Sequence, residues 1–190
     1  AKLEHSWMGK IKRLLVGRHL LSKLFVPVKK VGRLFFGDTQ KVVRSGNWHG
    51  NDTCWRMVVD LNKCLFNFDG EGKARSKPLR YLAVVDAIIA GEGNGPMAPD
   101  PKHCGMILAG TNPLAVDSAC CAMMGFDWRK LKMIVGAFNV DRKPIARFQH
   151  DEVQVISNDP NRSKALKDFA REDGFSFKPH FGWVGAVELE

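Results

Sequence analysis

The chain has 190 residues, 45% apolar and 26% charged, a composition that excludes wholesale disorder and sets the size at one sizeable core with an appendage. Its formal charge of +9 would point to nucleic acid if it were spread over the fold. Residues 1–44, however, hold eleven Lys/Arg against Glu4 and Asp38, and the remainder is balanced.

In chain order, MGKIKRLLVGRHLLSKLF spaces Ile11, Leu14, Leu15, Leu21, Leu24 and Phe25 at mostly helical intervals, with Lys10, Arg13, Arg18 and Lys23 between them. This predicts a basic amphipathic helix, interrupted at Gly17 and ended by Pro27. Residues 1–44 are therefore read as a basic helical arm. Its apolar face is expected to pack on a core or a partner domain, with an anionic membrane surface as the less favoured alternative. Nucleic acid is disfavoured, because no binding motif or aromatic stacking platform accompanies the charge. The core domain is assigned to 45–188. The missing initial Met is read as the mark of a fragment or processed chain, and Leu189–Glu190 as a cloning scar. No apolar run reaches the roughly 18–20 residues that span a bilayer, and no signal peptide is visible, so a cytoplasmic protein is expected.

After a loop at Gly46–Asn51, Asn51 or Asp52 is placed to cap a helix continuing to about Phe66. Asp52, Arg56 and Asp60 recur every four residues and share one face of it. That row reads either as a solvated ion ladder or, with Trp48, His49 and Asn51 above it, as one wall of a polar site.

The stretch Arg80–Gly125 is the most informative. YLAVVDAIIA, residues 81–90, is apolar except for Asp86 and reads as a strand covered on both faces. The turn G-E-G-N-G-P at 91–96 lacks dinucleotide-fingerprint spacing, and Glu92 would repel a pyrophosphate. GMILAG, 105–110, reads as a second strand. Asn112 as N-cap, Pro113 at the first helical position and Gly125 at the C-terminal end specify a helix of small residues, Ala115, Ser118, Ala119 and Ala122, suited to lying against a sheet. Together these elements predict an α/β fold, a sheet of mainly parallel strands flanked by helices.

Beyond it, Asp127 is expected to cap a helix with Trp128, Leu131, Ile134, Val135 and Phe138 buried. HDEVQVISN resembles an edge strand, 159–173 a short surface helix, and the aromatic tail a segment folded back on the core. Five cysteines without a C-x-x-C pair argue against a zinc ribbon, and against an iron–sulfur cluster from this chain alone. Cys120 and Cys121 read as small core residues rather than redox groups.

The segments GNWHGNDTCWRMVVDLN (46–62), VDAIIAGEGNGPMAP (85–99), ILAGTNPLAVDSACCAMMGFD (107–127) and HFGWVGAVE (180–188) together resemble the C-terminal part of the bacterial and archaeal proteins called domain of unknown function 362. The resemblance implies a cytoplasmic α/β protein in a family some of whose members carry ferredoxin-like iron–sulfur modules. It also implies a missing N-terminal half or partner domain, and names a ferredoxin-like protein as a candidate partner.

Asp86, Glu92 and Asp117 are acids where a packed core ordinarily holds none, and they are the candidate catalytic residues. If the two strands were parallel neighbours, these carboxylates would meet at one end of the sheet, with Asn94 and Asn112 beside them. Such a cluster could hold a hard divalent cation, Mg²⁺ or Mn²⁺, or keep one carboxyl protonated as a general acid; the structural alternative has Asp86 and Asp117 capping backbone N–H groups or pairing with Arg80 or Arg56, and Glu92 as a solvated turn residue. Asn94, Asn112, Trp48, His49, Asn51 and Asp60 are the candidate ligand-binding residues. Two functions are expected: the substrate- or metal-binding part of an enzyme, or a non-catalytic interaction module whose basic arm docks on a partner or an anionic membrane.

Overall fold

The computed structural model describes residues 47–77 and 79–189, so the basic helical arm expected at 1–44 lies outside the described residues. The first helix, α1 (Cys54–Asn67), is entered through an Asn51 side chain whose Oδ1 accepts the Thr53 N–H at 2.8 Å. Local side-chain bonds of this kind turn the chain into a helix start. Past α1 the Asp69 carboxylate accepts the N–H groups of Glu71 and Lys73, closing a tight turn.

Strands β1 (Ala83–Asn94) and β2 (Ala98–Gly110) then form a long hairpin. This overturns the sheet of mainly parallel strands flanked by helices: the described residues contain one two-stranded antiparallel sheet, with Ala83 opposite Gly110 and Asn94 opposite Ala98. A parallel pair needs a crossover of about a dozen residues or more, and Gly95–Met97 supplies only a tight turn. The glycines and prolines expected to make a long loop belong to the ladder. Gly91 pairs with Pro101 and Gly93 with Pro99, so each ring faces a residue without a side chain. The apolar run in β1 does not report two covered faces either. Leu82, Val84, Ile88 and Ile89, all within the run at 81–90, are more than half exposed.

Helix α2 (Pro113–Met124) follows its expected boundaries. The Asn112 Oδ1 accepts the N–H groups of Leu114 and Ala115, and Gly125, at φ +77°, ends the helix with its N–H on the Ala122 carbonyl at 2.9 Å. α2 packs on β2 with one side and on α3 (Lys132–Phe138) with another. Leu114 and Cys121 join Val59, Ile134 and Ala137 in one buried cluster, while Ala119 joins Val153 and Leu166 in a second. Asp127 caps as expected, but the turn it starts is a single 3-10 turn, Trp128–Lys130, placed before α3.

The C-terminal third is held by short turns rather than by an edge strand and a helix. His150–Glu152 is a 3-10 turn, the strand expected there reduces to one bridge between Gln154 and Ala165, and 159–173 holds three further 3-10 turns. Acidic side chains explain the breaks. The Asp159 carboxylate accepts the Asn161 N–H and that of Asp173 accepts the Ala170 N–H, competing with helical bonding. The aromatic tail does fold back: Phe175 and Phe177 donate their N–H groups to the Met123 and Met124 carbonyls at 2.8 and 2.9 Å.

Candidate functional site

A cavity of about 530 Å³ opens between α2, the Phe126–Arg129 turn, the end of α3 and the 3-10 turns at His150 and Leu166. Ser118 and His150 both line it, and each is at least nine-tenths buried. The Ser118 Oγ and the His150 Nε2 have no hydrogen-bond partner among the described residues. They are not bonded to each other, so no Ser–His nucleophile pair is formed. Ser118 occupies the buried side of α2, where the helix of small residues lies close to its neighbours.

The His150 ring stacks on Trp128 with centroids 4.0 Å apart and 14° between planes, and Phe138 stands edge-on to both rings. Burial holds the imidazole below its ordinary protonation range, against the weaker upward pull of Asp151 and Asp127. The ring is therefore neutral at neutral pH. Asp127, also buried, is engaged on both oxygens by Arg129 at 2.8 and 2.9 Å. Those bonds, chiefly, keep its carboxyl low despite burial. A second cavity, of about 610 Å³, runs along β2 between Cys104–Asn112 and Val153–Asp159 and has no comparable pair of orphaned polar atoms among the described residues.

The sequence-predicted acids fall in three separate places. Asp86 is exposed on the outer face of β1, where its Oδ1 accepts the Ile88 N–H at 3.0 Å beside a bulge. Glu92 is buried near the hairpin tip. Its Oε2 accepts the Lys178 N–H at 2.9 Å, and the Lys102 and Lys178 ammonium groups each stand 3.5 Å from the carboxylate. Burial alone would raise the Glu92 carboxyl, yet the Lys178 N–H and the two ammonium groups outweigh it and hold it low.

Asp117 is exposed on α2 beside a small cavity bordered by Val58, Asn62, Met133 and Ile145, away from the Ser118 side, and crowding there pushes its carboxyl up. Among the described residues, no group of three or more His, Cys, Asp or Glu could hold a metal ion. A hard cation such as Mg²⁺ or Mn²⁺ takes about six converging oxygens, which Asp86, Glu92 and Asp117 do not supply.

The other candidates serve mainly local structure. Asn94 ends the ladder, and Asn112 spends its side chain on the α2 cap and on the Ile145 carbonyl, 3.0 Å from Nδ2. His49 meets Trp183 edge-on and gives its N–H to the Gly182 carbonyl, tying the Trp48 loop to the tail. Asn51 starts the turn into α1. Asp52 pairs with Arg56 at 2.6 Å and Lys132 at 3.2 Å, whereas Asp60 turns to Lys63 at 3.8 Å. Of the expected row only Asp52 and Arg56 pair with each other, and all three side chains are exposed.

Sequence reading passed over Ser118, counting it among the small residues of α2, and His150, placing it at the start of an edge strand. A signal was present: Ser118 shares a helical face with Leu114 and Ala122, one polar group in an apolar stripe. Of the Cys120–Cys121 pair, Cys121 is a buried core residue, its Sγ 3.2 Å from the Phe126 carbonyl and its thiol pushed up to about 12 by burial, while Cys120 is half-buried.

The family model described as "Domain of unknown function (DUF362)" matches residues 29–122. The match begins inside the segment assigned to the basic arm, takes in α1 and the whole hairpin, and ends within α2. Neither the curated proteins nor the solved structures contain a match to this chain. Among the described residues no helix is long and apolar enough to cross a membrane. The match over residues 29–122 is consistent with a member of the DUF362 family.

Proposed function

We propose that the chain is the C-terminal, small-molecule-binding part of an enzyme, with its ligand seated between α2 and the His150 turn. One observation carries this reading: Ser118 and His150 border the same cavity, and the Ser118 Oγ and His150 Nε2, buried at its wall, have no partner among the described residues. A buried polar atom left unbonded costs roughly 1–3 kcal/mol, which a ligand bonding both atoms would offset. The cavity volume also lies within the roughly 300–1,000 Å³ of small-molecule sites. In this role Ser118 and His150 bind and orient the ligand, and the aromatic walls of Trp128 and Phe138 exclude water from it. Five free thiols suit a cytoplasmic setting, where they stay reduced.

The test is a ligand-observed NMR screen of small organic fragments against the full chain, repeated with Ser118→Ala. Hits that weaken on this substitution, at an unchanged or higher melting temperature, support the reading. A screen with no hit sensitive to Ser118 sinks it.

A second reading, the interaction module, is favoured by the hairpin. Among the described residues the main chain of β2 makes no backbone hydrogen bond outside the hairpin, and the groove beside it faces the extended stretch at Val153–Ser157. An unpaired edge of this kind accepts an added strand. Its occupant would be an N-terminal half of the kind the resemblance implies, or a partner domain. Adding that half as a separately expressed polypeptide should slow hydrogen exchange at 104–110; unchanged exchange with the two mixed removes this reading.

A further inference from the structure

The charges around the Ser118–His150 cavity close on themselves. Both Asp127 oxygens are taken by Arg129, and the other ionic groups at the rim, Lys167 and Asp151, are exposed and opposite in sign. The two atoms that lack partners are neutral ones, a hydroxyl and the nitrogen of an uncharged imidazole. Around them the walls are aromatic, with Trp128 stacked on His150 and Phe138 edge-on to that pair. An ionic ligand would bring a charge to the deep end without a counter-charge, at a cost of several kcal/mol.

We infer that this cavity takes an uncharged small molecule with a flat apolar body and one neutral hydrogen-bonding group, directed at the wall that Ser118 and His150 form. The inference rests on the ligand-binding reading and narrows it to a chemical class. Ser118 can both donate and accept, and the neutral imidazole nitrogen completes the pair, so a phenolic hydroxyl or a ring amide matches both. The aromatic walls match the ring by offset or edge-on contact. A hydroxyl bonded at both ends is then worth more to binding than its apolar body alone.

Four probes of one size separate the possibilities: phenol, toluene, benzoate and benzylammonium, titrated into the full chain with amide and indole NMR shifts as the readout. Phenol is expected to shift Ser118, His150 and the Trp128 indole and to bind more tightly than the other three. Ser118→Ala should weaken phenol about tenfold, the loss of one buried hydrogen bond, and leave toluene unchanged. Ala122→Leu, which fills the cavity from one turn further along the same face of α2, should abolish all binding with the fold intact by its amide spectrum.

Tighter binding of benzoate or benzylammonium at these residues overturns the uncharged class while the site itself stands. Equal binding of phenol and toluene assigns the orphaned atoms to ordered water only and overturns the class as well. No shift at Ser118 or His150 with any probe rejects the inference, and the fragment screen then decides separately on the site.

Discussion

The Glu92 carboxylate accepts the Lys178 N–H at 2.9 Å, joining residues eighty-six apart in sequence and fastening the aromatic tail to the tip of the hairpin. Gly93 completes the clasp by donating its N–H to the Lys178 carbonyl at 2.9 Å. The buried acid thus has a structural employment. Glu92→Gln should cost about 1.5–3 kcal/mol, the range for a hydrogen bond to a charged group, in urea denaturation at pH 7. The held-down carboxyl stabilises the fold above its unfolded value of 4.5, and that contribution is lost as pH falls through the lower folded value. The variant should therefore show a flatter stability profile below about pH 4.5 than wild type.

Asp117 has the opposite sign. Its carboxyl is raised by desolvation, so the folded chain holds the proton more tightly than the unfolded one. That contribution is present at low pH and is lost as pH rises through the folded value. Asp117→Asn should be slightly more stable than wild type at pH 7, by less than about 1 kcal/mol given its exposure. A clear loss of stability would mean that the charge has a partner.

His150 titrates in the same direction as Glu92 but in a higher window. Burial keeps the folded imidazole neutral, so stability is present above the ordinary value of 6.5 and declines as pH falls below it, until the lower folded value is passed. Thermal melts between pH 7.5 and 5 should show this decline, and His150→Phe, which retains a ring against Trp128, should remove it.

Gly136 marks the closest approach of α3 to α1: a Cβ there would overlap the Trp55 ring. Gly136→Ala should destabilise by about 1–3 kcal/mol through forced movement of the indole, despite the better helix propensity of alanine. Chemical denaturation with Trp fluorescence measures both the loss and the displaced ring.

The thiols should divide by burial. Cys54 and Cys64 are exposed and should alkylate in the native protein, whereas Cys121 should label only after unfolding. Rapid native labelling of Cys121 would reopen the redox reading of the Cys120–Cys121 pair.

How much of this was legible follows the range of the interactions. The cap at Asn112, the stop at Gly125 and the capping role of Asp127 rest on contacts within a few residues, and the sequence foretold each of them. The hairpin was missed because G-E-G-N-G-P looks like a loop until the prolines beyond it are laid opposite its glycines. That matching requires knowing the register, which composition does not reveal. The candidate site was missed for a related reason: Ser118 and His150 are thirty-two residues apart and share no motif, and only packing makes both polar groups conspicuous.

The hairpin also shapes how the chain can fold. Its ladder starts at Asn94 and Ala98 and zips outward to Ala83 and Gly110, so every rung closes a short loop. The Glu92–Lys178 clasp must close a loop of eighty-six residues, which costs about 2–3 kcal/mol more in chain entropy than the first rung. Low contact order in one part and high contact order in the other favour a nucleus made of the hairpin and α2, with the tail docking after it. Substitutions in the hairpin should therefore slow folding, while those at the clasp should chiefly speed unfolding.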